Sequence, residues 1–408
     1  MSPAEAACVQ GWYGPLPSIP LAFANAMSKK NRGVEARAQA LAILADDSSP
    51  DARKGAAEIL KQPAAARDSL PIAPGATSSV FHVALLIPQI GDYEAYGKSL
   101  RAGLEFAVAD YNKGAALPLR LSVFETEGEG WRAAREGKQA LERGAGVLVG
   151  DVLTVPTLVL AGLANQTGIP LLSPSATDPH VGATGPLVFQ TGAPVDAQAR
   201  TLARYAAQTD KRKVIATPAD LDSAFLAAFE SEAKQLGTKV VRLPASRGIR
   251  DFKPVAAELG RTHADAILLP LDPEQAELWV GGLMKQGVFL PLLATDALDP
   301  QGFHPETRRV IEGMTAVSSD YALPEKVFAH VDSLARATYG LDADRFVRRG
   351  YLTGRVITSA LAAGADSPYS LATALRRRSG SLGFIRYEES EATLPILAVR
   401  RGQLVRVH

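Results

Sequence analysis

The stretch VALLIPQIGDYEAYGKSLRAGLEFAVADYNKG, residues 83–114, decides the fold. It opens in an apolar run, HVALLIP from His82, that is apolar throughout rather than alternating, as expected of a strand buried on both faces. Past a Gly and Asp turn comes SLRAGLEFAVADYNK, a longer amphipathic segment. A doubly buried strand followed by a covering helix is the unit of a parallel sheet with helices on its faces. The unit recurs downstream as LRLSVFET, WRAAREGKQALERG, GVLVGD, TLVLAGLANQTG and IPLLSPS.

The same rhythm resumes after PLVFQTGAP, with AQARTLARYAAQT, KVIATP, SAFLAAFESEAKQLG, KVVRLPA, KPVAAELGRTH, DAILLPL, EQAELWVGGLMKQG and PLLATD. The pattern predicts an α/β chain with two doubly wound parallel-sheet lobes in tandem and a boundary near residues 190–194. Lobe 1 is expected over 77–192, completed by about 317–385, and lobe 2 over 193–316, completed by about 386–408. Residues 1–76 differ. VEARAQALAILADDSSPDARKGAAEIL reads as two short Ala-rich helices broken at DDSSPD, and KQPAAARDSLPIAPGATSS as a linker. This N-terminal helical appendage resembles a single HEAT-type hairpin without a second copy to stack on.

Charge and cysteine content remove several functions. Lys plus Arg number 44 against 43 Asp plus Glu, so no net field draws the chain to nucleic acid or an anionic membrane. The single cysteine, Cys8, forbids an intrachain disulfide and any multi-cysteine metal site. The six histidines show no HExxH spacing, so no metal and no cofactor is expected. No GxxxxGK[ST] or GxGxxG follows a strand, and GxSxG is missing, which removes phosphate-cradling loops and the esterase elbow. Ser175, Asp178 and His180 crowd one loop, too close in sequence for nucleophile, base and orienter to reach triad geometry. The opening MSPAEAACVQG lacks a basic region and apolar core, so an export signal is expected to be absent from this sequence. EAAC faintly echoes a lipoprotein cleavage site at Cys8.

In order along the chain, strand–PxxGxYxxYG–GxxxAVxxxN in residues 83–114, GVLVGDVLT, ANQTGIPLLSPSATDP, PLVFQTGAP, RDFKPVAAELGRTHADAILLP, GGLMKQGVFLPLLATD and GYLTGRVITSALAAGADSPYSLATALRR resemble type I periplasmic binding proteins. The likeness is to their leucine/isoleucine/valine-binding branch, which serves ABC importers. It covers about residues 80–386. It implies two lobes joined by three crossovers that trap a small ligand by hinge closure. In open α/β sheets ligands bind beyond the carboxyl ends of the strands, and SPSATDP lies at such an end.

The resemblance also implies contacts. Ser175 offers its carbonyl to a ligand ammonium, with Ala176 in the same loop, and Thr177 offers its N–H and hydroxyl to a carboxylate. Thr154 stands where the family carries a carboxylate-binding Ser. Tyr93 and Tyr96 match aromatic positions near the binding cleft, and Trp131 follows the next strand, where a ring packed on its own helix is the alternative. The second lobe departs from the pattern. Where amino-acid binders carry an aromatic and Gly, this chain has TPADLDSAF with Asp222, and LLPLDPEQ puts Asp272 at another aromatic position. Both acids also suit helix caps and turns. Asp296 in LLATDAL matches an acid that meets an ammonium. The closing turn reads IRYEESEAT instead of the family's Fd-x-x-Gd.

The expected function is an extracytoplasmic solute-binding protein, not an enzyme. It would act outside the inner membrane as a monomer and pass an amino-acid-like or carboxylate-bearing small molecule to an ABC permease. The alternative is an envelope scaffold resembling penicillin-binding-protein activators, suggested by the N-terminal hairpin and the missing second-lobe aromatic.

Overall fold

The computed structural model describes residues 40, 54–58, 79–219, 223–244, 249–298, 300–318, 325–377 and 394–407. Of the N-terminal appendage, residue 40 and residues 54–58 are described, and all are helical. The rest of the hairpin, Cys8, Asp222 and the turn IRYEESEAT lie outside the described residues. The chain is mixed α/β with largely parallel sheets and divides into two units.

The first unit takes the residues up to Ala193 and the helices of 325–377. Its strands are β1 (Phe81–Ile87), β2 (Leu119–Glu125), β3 (Val147–Gly150), β4 (Leu171–Ser173) and β5 (Val188–Gln190). They form one parallel sheet in the order β2-β1-β3-β4-β5. All seven residues of β1 are buried, as its unbroken apolar run requires. Between the strands run α1 (Glu94–Asn112), α2 (Gly130–Glu142), α3 (Thr154–Thr167) and α4 (Pro179–Ala183). Gly168, at φ 79°, ends α3 in the left-handed conformation glycine adopts freely. The strand order reverses between β1 and β3, so the loops leaving those two strands diverge to opposite sides and open a crevice at their carboxyl ends.

The second unit runs from Pro194 to Ser318 and adds the last two strands. Its elements are α5 (Val195–Arg204), a π-helical turn at Tyr205–Thr209, β6 (Val214–Pro218), α6 (Ala224–Gln235), β7 (Lys239–Leu243), α7 (Lys253–Thr262), β8 (Ala266–Leu269), α8 (Pro273–Lys285), β9 (Leu292–Ala294), a 3-10 turn at Pro300–Gly302, α9 (Pro305–Val310) and β10 (Thr315–Val317). Strands β6 to β10 are parallel. The closing hairpin β11 (Ile396–Arg400) and β12 (Gln403–Arg406) adds two antiparallel strands at the β10 edge, giving the order β12-β11-β10-β9-β8-β6-β7. Its tight turn places Arg401 and Gly402 both at positive φ, the conformation that matches strand twist. Helices α10 (Glu325–Tyr339), α11 (Arg345–Ala362) and α12 (Pro368–Arg377) return to the first unit, where α11 packs along α1. No described helix is long and apolar enough to cross a membrane.

Candidate functional site

Four loops of the first unit meet beyond the carboxyl ends of β1 to β4, and one buried acid ties three of them together. Asp151, directly after β3, is fully buried. Its carboxylate accepts the Thr126 hydroxyl from the loop after β2, and the backbone N–H of Leu153 at 3.1 Å. Its own N–H donates to Thr157 Oγ1 at 2.9 Å, and its carbonyl accepts the Ser175 hydroxyl at 3.3 Å. Desolvation pushes the Asp151 carboxyl up to about 7, against the hydrogen bonds from Thr126, Leu153 and Val152, which favour the anion.

Directly beyond this acid, α3 begins at Thr154. Its N-cap residue is Leu153, whose side chain cannot cap, and Pro156 has no N–H to offer. Among the described residues nothing accepts the N–H groups of Thr154 and Val155 or bonds the Thr154 hydroxyl. Uncapped N–H groups at the positive end of a helix dipole favour an anion.

The loop after β4 carries the predicted Ser175, Ala176 and Thr177. Ser175 is 7 % exposed and Ala176 is 2 % exposed, whereas Thr177 is half-buried. Gln190, at the end of β5, holds this loop from below. Its amide nitrogen donates to the carbonyls of Ala176 and Asp178, both at 2.9 Å, and its oxygen accepts the Gly182 N–H at 3.0 Å. Asp178 caps α4, taking the His180 N–H at 2.8 Å, and pairs with the His180 ring at 2.7 Å. Burial would raise the Asp178 carboxyl, but those bonds hold it below the usual carboxylate value. The Ser175 hydroxyl is turned instead to the Asp151 carbonyl.

Tyr93 sits on the loop after β1, at the start of α1, and Tyr96 in its first turn. Their rings lie 6.4 Å apart, and Tyr96 packs on Phe346 of α11 at 4.7 Å. Tyr93 reaches Gly128 of the loop after β2, which also faces Leu153. Tyr93, Leu153 and the start of α3 are thereby neighbours. Trp131, 49 % exposed on α2, is covered by two arginines of its own helix, Arg132 at 4.8 Å and Arg135 at 5.3 Å from the ring. That is the packing offered as the alternative reading.

In the second unit, Asp272 caps α8, accepting the Gln275 N–H at 2.9 Å. One of its oxygens thus performs the structural task that competed with a ligand role. Ser223 caps α6 in the same way. Asp296 is half-buried in the turn that follows β9.

The residues that hold this arrangement, Asp151, Thr126, Thr157 and Gln190, were not singled out from sequence. GVLVGDVLT and PLVFQTGAP contain Asp151 and Gln190, and a polar residue ending an otherwise apolar strand was the available signal.

The sequence profile of the periplasmic binding protein family matches residues 81–384. A Leu/Ile/Val-binding protein, BraC3 of Rhizobium johnstonii, is 23 % identical over 319 residues, spanning 76 % of this chain and 86 % of that protein. Among solved structures, a putative branched-chain amino acid ABC transporter protein from Rhodospirillum rubrum superposes with TM-score 0.69 at 20 % identity, covering 80 % of this chain and all of the other, 100 %. A solute-binding protein of an ABC transporter from Rhodopseudomonas palustris, in complex with 3,4-dihydroxybenzoic acid, gives TM-score 0.59 at 16 % identity over 81 % of this chain and 97 % of that one. At these identities the structures establish the fold, and these relatives are binding proteins rather than enzymes.

Proposed function

Since the chain belongs to the periplasmic binding protein family, we propose that it is the solute-binding component of an ABC importer and that its ligand is a small molecule bearing a carboxylate. The family name implies a site of action outside the cytoplasm. The observation that carries the ligand class is the uncapped start of α3, with the Thr154 hydroxyl and two free N–H groups, and the half-buried Thr177 on the loop after the adjacent strand β4. The branched-chain amino acids named for the Rhizobium relative and the dihydroxybenzoate of the Rhodopseudomonas structure differ in every group except a carboxylate.

In this reading Thr154 and Thr177 hold the carboxylate, the Ser175 carbonyl receives an ammonium where one is present, and Tyr93 and Tyr96 cover the ligand's body. Asp151 and Gln190 are positioning residues that fix the loops without touching the ligand. The relatives reported are transporter binding proteins, which favours import over the envelope-scaffold alternative.

The test is a thermal-shift screen of leucine, isoleucine, valine, benzoate, dihydroxybenzoate and spermidine at millimolar concentration. A rise in melting temperature with at least one carboxylate, and none with spermidine, supports the assignment. A response to spermidine alone contradicts the ligand class, and no response to any compound contradicts a transport role.

A further inference from the structure

The second unit holds a cavity of about 500 Å³ at the opposite end of its sheet from Asp272 and Asp296. It lies at the amino ends of β8, β9 and β10, under the carboxyl-terminal half of α8 and against the closing hairpin. Its size is that of a small-molecule site, open to solvent on one side. One part of the lining is apolar and buried, formed by Ile267, Val280, Leu283, Leu292, Met314 and Ala398.

The polar lining is unevenly satisfied. Asp210 pairs with Arg212 at 3.4 Å and receives the Tyr205 hydroxyl, so its charge is balanced. Glu312 accepts the Arg401 N–H with both oxygens, at 2.9 and 3.1 Å. Arg400, the last residue of β11, is the exception. Among the described residues its guanidinium has neither an ion pair nor a hydrogen bond, although it lines the cavity near Tyr205. Thr315, also on the wall and 7 % exposed, keeps a hydroxyl with no partner, and Arg212 Nε is likewise unpaired. The π-helical turn at Tyr205–Thr209, a rare conformation often found where a protein binds something, sets Tyr205 and Asp210 on the rim.

We propose that this cavity is a second ligand site, for an amphipathic monocarboxylate whose hydrocarbon body lies on the apolar wall and whose carboxylate meets the Arg400 guanidinium. An arginine fork matches a carboxylate with two parallel hydrogen bonds. Asp210 and Glu312 are already engaged by the protein, which leaves Arg400 as the charged partner with the Thr315 hydroxyl as a further donor, so a single anionic end with an apolar body is the fitting class. The site is separate from the strand-end loops of the first unit and does not depend on what they bind.

Octanoate is the probe. It is titrated calorimetrically into the full chain and into three variants, Arg400→Gln, Val288→Trp and Thr177→Ala, each first checked by its melting curve. Val288 is half-buried on the cavity lining, so the larger ring fills the space from its open side. The expected result is one octanoate site, weakened about tenfold or more by Arg400→Gln, abolished by Val288→Trp and unchanged by Thr177→Ala. Octylamine, with the same tail and the opposite charge, is expected not to bind. The proposal is overturned if octanoate does not bind, if Arg400→Gln leaves its affinity within about twofold, or if octylamine binds as well. Loss of binding in Thr177→Ala would place octanoate in the first unit instead and overturn it equally. Arg400 is exposed, so that variant decides the matter even if Val288→Trp fails to fold.

Discussion

Asp151 shows how much a single buried carboxyl can decide. Its pKa in the fold, about 7, lies above the ordinary 3.8, so between these values the folded protein holds a proton that the unfolded chain releases. Stability contributed by this group therefore falls as pH rises through that window and is flat above it. Asp110, which burial would raise but which hydrogen bonds from Lys113, His330 and Tyr351 hold low, and Asp178 both titrate below the window. Asp151→Asn keeps an acceptor for Leu153 and can donate to Thr126 as the protonated acid does. Urea unfolding at about pH 5 and about pH 8 should show wild type losing stability relative to Asp151→Asn at the higher pH; parallel behaviour would mean Asp151 does not titrate there. Gln190→Leu should leave the Ala176 carbonyl unpaired, while the Asp178 carbonyl keeps the Val181 N–H, and weaken carboxylate binding by roughly 1 to 3 kcal/mol, with a smaller loss of stability, read by titration alongside melting curves. Ser175 and Thr177 were legible as a hydroxyl cluster where an apolar strand stops. Asp151 and Gln190 were not, because burial and cross-loop partners are tertiary facts.

At the scale of elements, glycine spacing sets how closely pieces approach. A Cβ on Gly103 of α1 would fall 1.8 Å from the Val347 carbonyl of α11, and one on Gly350 of α11 would fall 2.1 Å from the Leu100 carbonyl. The two helices touch through bare backbone, and α11 returns to this unit across more than two hundred residues of chain by that contact. Gly350→Ala should cost about 1 to 3 kcal/mol or more, the range of an overpacked core, measured by denaturant unfolding; a neutral result would mean the helices can separate without loss. Gly150 is comparably constrained, at φ 139° with a Cβ that would meet the Leu86 carbonyl at 2.0 Å. The strands themselves were readable because runs such as HVALLI are apolar at every position and are buried at every position. The caps were readable less evenly. Asp272 was read both as a ligand acid and as a cap, and its carboxylate bonds Gln275; the bare start of α3 escaped notice because it depends on what Leu153 and Pro156 fail to supply.

For the whole molecule, the alternation of buried strands and amphipathic segments was enough to place the chain among doubly wound α/β proteins, and the ordered motif series enough to name its family. Ligand identity was not legible. It turns on a few side chains at loop ends, and the second unit is where those side chains least resemble the family's, with acids in place of aromatics. The same scaffold supports both aliphatic and aromatic carboxylates in the relatives reported above.

The most direct test is calorimetric titration of the best carboxylate from the thermal screen into wild type and Thr177→Ala at neutral pH. One Thr177-dependent site is expected in wild type, with a loss of roughly 1 to 3 kcal/mol, about fivefold to 150-fold in affinity at that site, in the variant. An affinity unchanged by Thr177→Ala would contradict a carboxylate site on these strand-end loops.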